Sequence, residues 1–153
     1  MKNFIFASIL FALLLTVNAA PFQLNKRAIT FVSCDLHFPV DLIEVKIGTD
    51  HPEFGKNVSF DVSGTFTKND ITKGETILQI EYGYSNGSLI ADPYFQNFTD
   101  STKAGTPFNI SAQVPTPELP DSYEIDVYVE SSKPSGGLFA CSYATVGGSS
   151  EKS

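Results

Sequence analysis

The chain has 153 residues, with ten lysines and arginines against seventeen acids, thirteen phenylalanines, six tyrosines, two cysteines and no tryptophan. A net charge of −7, with the acids scattered singly, argues against nucleic acid or a polybasic membrane contact as a partner. The length suits one domain and suffices to bury one core.

Lys2 precedes an apolar run from Phe4 to Val17 that closes on Val17-Asn18-Ala19. A secretory signal peptide with a small-residue cleavage site is expected over 1–19, and the run is too short for a membrane span. Lys26-Arg27 closes the segment 20–27, and this pair reads equally as the processing site of a propeptide and as an exposed basic pair. From residue 28 onward 126 residues remain, with seven lysines against seventeen acids, a net −10. The expected domain covers 28–146. The tail 147–153, GGSSEKS, has no apolar residue and is expected to be disordered. Export predicts a secreted protein or one of a vacuolar or lysosomal lumen, where a disulfide persists.

Seven runs read as strands: AITFVSC, DLIEVKI, NVSFDVSGTF, ETILQIEYGY, FNISAQV, YEIDVYVE and GLFACSYATV. They are rich in β-branched and aromatic residues and are bounded by turn formers such as Lys73-Gly74 and Ser85-Asn86-Gly87. Alternation assigns each side chain to a face. Phe60, Val62 and Phe66 share the apolar side of the third run with Val58, and Leu78, Ile80 and Tyr82 take that side in the fourth. Phe108, Ile110, Ala112 and Val114 do so in the fifth, and Tyr123, Ile125, Val127 and Val129 in the sixth. With no amphipathic helix competing, the prediction is all-β: an immunoglobulin-like antiparallel sandwich of about seven strands.

Asn57, Asn86, Asn97 and Asn109 each open an Asn-x-Ser/Thr sequon and are expected to face water as glycan acceptors. Asn57 and Asn109 fall on the polar side of their strands, in agreement with the phase. Cys34 and Cys141 are the only cysteines. In an exported chain an even count reads as a disulfide in preference to two buried thiols. This one would join the first strand to the last and leave the sheet centres unclamped.

No catalytic constellation is legible. His37 and His51 have no further ligand at a recognised metal spacing, and no nucleophile elbow or phosphate-cradling glycine loop occurs. Glu124 and Asp126 share an outward strand face, as a glycosidase pair would, but solvated acids do the same. A protein that is not an enzyme, with no cofactor or metal, is the expectation.

The pieces VSCD, PEFGKNVSFDVSGTF, ITKGETILQIEYGY, VPTPELPDSYEIDVYV and GLFACSYATV, in this order from about Ile29 to Val146, resemble the ML-domain lipid-recognition proteins. That family includes sterol carriers of the Niemann-Pick type C class and fungal phosphatidylglycerol/phosphatidylinositol transfer proteins. The resemblance matches Cys34 and Cys141 to a first-to-last disulfide. It departs in the middle, where many members carry a further cysteine pair and SLIADPYFQNFTDSTKAGTPF has none. It implies two sheets splayed around an apolar cavity that holds a sterol or a phospholipid, transient contact with membranes, and a monomer. The fourteen apolar-face residues named above, from Phe60 to Val129, are the candidates to line that cavity. The competing expectation is a glycosylated structural or interaction domain with a filled core and no ligand.

Overall fold

The structure, a computed structural model, describes residues 28–148. The expected signal peptide, the segment ending at Lys26-Arg27 and residues 149–153 of the expected tail lie outside the described residues.

Eight strands, and no helix among the described residues, make an all-β sandwich. They are β1 (Val32–Ser33), β2 (Ile43–Ile47), β3 (Asn57–Thr65), β4 (Thr76–Gly83), β5 (Tyr94–Asn97), β6 (Pro107–Pro115), β7 (Ser122–Ser131) and β8 (Leu138–Gly147). One sheet has five strands in the order β1-β8-β7-β4-β5, the other three in the order β2-β3-β6. The ladders between named strands are all antiparallel.

The sequence-based count falls one strand short. β5 is four residues long and directly follows Pro93, too short a run to display a period. It exists because β4 offers it an unpaired edge, from Ile77↔Asn97 to Ile80↔Tyr94. The first run shrinks to the two residues of β1. At the other end of the chain, β8 continues to Gly147, paired with Ser122, so the sheet takes one residue of the segment expected to be tail.

The period-two phase holds on β3, β6 and β7, whose runs alternate cleanly, and on β4, whose run alternates less cleanly. β6 alternates without a break between exposed and buried positions, and β3, β4 and β7 bury the same side chains that the alternation selects. Burial of these faces supplies the main drive for the two sheets to pack. All four sequon asparagines, Asn57, Asn86, Asn97 and Asn109, are exposed.

Cys34 and Cys141 form the disulfide, with Cα atoms 5.5 Å apart and a sequence separation of 107. Cys141 stands opposite Tyr128, in the outward phase of β7, and Cys34 follows directly on β1. The bridge therefore links neighbouring segments on the outer side of the five-stranded sheet. It does not cross the interior.

Four connections pass from one sheet to the other, and their placement is unequal. The strand directions put β1→β2, β3→β4 and β5→β6 at one end of the sandwich, and only β6→β7 at the other. At the three-crossover end the connections tie one another down. Ile71 and Thr102 exchange backbone hydrogen bonds, Gly105 donates to Phe66, and Asp70 accepts from the Ala104 amide and from Lys103. Asp41 anchors the start of β2 there, bridging to Ala140 and accepting from the amide and hydroxyl of Thr67. The single link at the opposite end is Thr116-Pro117-Glu118-Leu119-Pro120-Asp121.

Candidate functional site

The interior between the sheets is built from the residues that the strand phase selects. Leu78, Ile80, Tyr82, Tyr123, Ile125, Val127 and Val129 come from the five-stranded sheet. Phe60, Val62, Phe108, Ile110, Ala112 and Val114 come from the three-stranded sheet, and Phe66 lies just past β3. All fourteen are buried and belong to one core.

The two ends of this interior differ in chemistry. At the three-crossover end, phenyl rings form a plug: Phe66 meets Phe108 at 4.7 Å and Phe139 at 5.8 Å, and Phe98 meets Phe108 at 5.7 Å. Phe66–Phe139 and Phe98–Phe108 are contacts between the two sheets, each worth about 0.5–1.5 kcal/mol beyond its buried area. Phe139 reaches the plug because it is the extra residue at a bulge, where the register shifts between Val129 and Glu130. A cavity of about 90 Å³ beside the plug, lined by Pro39, Asp41, Thr67, Lys68 and Phe139 among others, is far below the ~300 Å³ at which ligand pockets begin.

At the single-link end the rim is aliphatic, and the Ile29 amide donates across it to Asp50 at 3.0 Å. Ile29, Ile47, Ile90, Leu119 and Val146 pack against the core there but stay only partly buried. The hydrogen bonds that hold the link, from Thr116 N to Lys56 O at 2.9 Å and from Gly55 N to Thr116 O at 3.1 Å, stay on the side of the three-stranded sheet. They do not fasten it to the other.

This end also carries the unpaired polar atoms of the interior. Three polar side chains are buried among the described residues: Thr76, Thr116 and Ser142. Thr76 accepts from the Thr72 amide at 2.9 Å, and Ser142 donates to the Val32 carbonyl at 2.9 Å. Neither Thr116 nor the hydroxyl of Tyr82 has a hydrogen-bond partner. Burial pushes the Tyr82 phenol up to about 12, and the neighbouring Thr116 hydroxyl only moderates that rise. The Thr116 hydroxyl is close enough to act on the phenol as a hydrogen-bonding neighbour, although neither oxygen has a partner in good bonding geometry. A buried hydroxyl left unpaired costs roughly 1–3 kcal/mol.

Sequence reasoning misses Thr116. It continues the inward phase of Ala112 and Val114, but Pro115 and Pro117 make it read as a turn. The inward row of β8 escapes it too. Ala140, Ser142 and Ala144 stand beside Val129, Val127 and Ile125 in register, and all three are buried. That row is small, so β8 contributes little bulk to the interior.

His37 and His51 are both exposed. Among the described residues no three His, Cys, Asp or Glu side chains are grouped to hold a metal ion. Glu124 and Asp126 require a correction, because the outer face of the five-stranded sheet is not freely solvated. Both are only partly exposed, and Asp126 stands directly opposite Glu81 on β4 and Tyr143 on β8. Burial, then the charges of Glu124 and Glu81, push Asp126 up to about 6 from 3.8. The same face pushes Tyr128 up to about 12, through burial first and then its acidic neighbours.

A carboxyl whose folded pKa is raised holds its proton more tightly when folded. Its stabilising contribution is complete below the unfolded value and is lost as pH rises through about 6. Screening at this half-exposed position reduces the effect to about 1 kcal/mol. Asp126→Asn is therefore expected to match the parent near pH 4 and exceed it by about 1 kcal/mol at pH 7. Denaturant melts at the two pH values check this, and equal stability at pH 7 would refute it.

No protein-family model matches the chain, and no curated protein is detectably similar to it.

Proposed function

We propose that this is a secreted lipid-binding and transfer protein that holds one sterol or phospholipid between its two sheets. The observation that carries the reading is the unequal closure of the sandwich. Three crossovers and a phenyl plug fasten one end. One proline-rich link, a partly exposed aliphatic rim and two unpaired hydroxyls mark the other. Sheets joined in this way separate most cheaply at the single-link end, and a lipid chain entering there replaces the packing that separation removes. The motif order shared with ML-domain proteins supports the same reading, as does a disulfide that stays outside the interior.

The rim also offers contacts to a bilayer. Phe54, 73% exposed, sits in the turn whose Gly55 bonds Thr116, and Tyr84 and Leu89 stand exposed beyond β4 at the same end. Aromatic and aliphatic side chains at the mouth suit transient membrane contact by a monomer. Asn86 lies in the turn between Tyr84 and Leu89, so a glycan there would keep that arm of the rim off the surface and leave Phe54 as the main anchor.

One observation favours the second reading, an interaction domain with a filled core: every candidate lining residue is already buried. Solvent extraction of the protein purified from a secreting host separates the two. The lipid-carrier reading expects about one lipid per chain. Lipid-free protein that also takes up none from vesicles would leave the filled core standing.

A further inference from the structure

We propose that the hydroxyls of Tyr82 and Thr116 form a hydrogen-bonding pair for one uncharged polar group, a hydroxyl or a carbonyl, of the lipid held between the sheets. The inference rests on the lipid-carrier reading and specifies which chemistry enters at the single-link end.

Tyr82 projects from the five-stranded sheet, and Thr116 follows the last residue of β6 in the other. Their relative exposures are 4% and 3%. The pair thus brings one hydroxyl from each sheet together at the single-link end. Neither hydroxyl escapes its position readily. Both backbone groups of Thr116 are bonded to the Gly55–Lys56 turn, and prolines at 115 and 117 fix the chain on either side. The Tyr82 ring lies 6.4 Å from that of Tyr123, and the Tyr82 carbonyl accepts from the Ile90 amide at 2.8 Å. Buried polar side chains elsewhere in this core are paired, so two unpaired ones facing each other mark a place where something else supplies the partner.

Charge decides what that partner is. Lys56, in the turn that bonds Thr116, is exposed and paired with Glu53, and no described lysine is buried with the pair. Two neutral hydroxyls donate to a carbonyl, or donate to and accept from an alcohol, but they cannot offset the desolvation of an ionised phosphate. A phosphorylated headgroup would remain at the rim, outside the pair.

Tyr82→Phe and Thr116→Val remove each hydroxyl while keeping the shape of the side chain. The test is native mass spectrometry of the parent, both variants and Thr116→Ser, titrated with dodecanol, dodecane and dodecyl phosphate. The parent should prefer dodecanol to the other two. Each variant should lose roughly tenfold in dodecanol affinity and none for dodecane, and Thr116→Ser should retain most of the preference. Uptake of dodecanol that neither variant weakens would overturn the pair while leaving the lipid carrier intact. A parent that takes up none of the three probes would overturn the lipid reading, and the pair with it.

Discussion

Replacing Cys34 or Cys141 by serine is expected to lower the unfolding free energy by a few kcal/mol, by the same amount for either residue. The bridge closes a loop with a sequence separation of 107, and the chain-entropy model assigns about 4.7 kcal/mol to a loop of some 100 residues. Local structure adds a reason for the large effect. β1 contributes only two paired residues, Val32 and Ser33, to the β8 edge. Beyond the disulfide and that short ladder, the segment is held by a backbone bond from Cys34 N to Cys141 O, the Ser142 hydroxyl on Val32 O and the Ile29 amide on Asp50. Phe31, next to β1, packs on Phe60 at 6.4 Å, so release of this segment also uncovers the centre of the three-stranded sheet. Denaturant melts of both variants check the prediction. Two alkylatable thiols in the unreduced parent, or variants as stable as the parent, would refute it.

The bridge itself is legible in the sequence, because two cysteines leave one intrachain pairing. Its position is not. Only the register, which sets Cys141 opposite Tyr128 in the outward phase, shows that it lies outside the interior. The inward faces of β3, β4, β6 and β7 are equally legible, since alternation is a local property and the buried face is the apolar one. Features made by pairing distant segments stay hidden. The raised pKa of Asp126 comes first from burial, then from Glu124, and last from Glu81 opposite it on β4, and of these only Glu124 is local in the sequence. The bulge that turns Phe139 into the plug, and the unequal placement of the crossovers, are likewise long-range. Thr116 is concealed differently: its prolines are a true turn signal, and the turn happens to point a hydroxyl inward.

The two readings of the interior part most sharply at Ala112. It is the smallest inward side chain of the three-stranded sheet, 2% exposed and opposite Phe60 in the β3–β6 register. In a filled core a phenyl ring at this position overpacks the interior, which typically costs about 1–3 kcal/mol. In a lipid carrier it occupies space meant for the ligand, and sheets free to part at the single-link end accommodate it at little cost to the lipid-free protein. The decisive measurement is the uptake of a fluorescent lipid by the parent and by Ala112→Phe, taken together with the lipid-free unfolding midpoint of each. A lipid carrier predicts uptake by the parent, a loss of roughly tenfold or more in the variant, and midpoints that nearly coincide. No uptake by the parent, with a variant destabilised by about 1–3 kcal/mol, would contradict it.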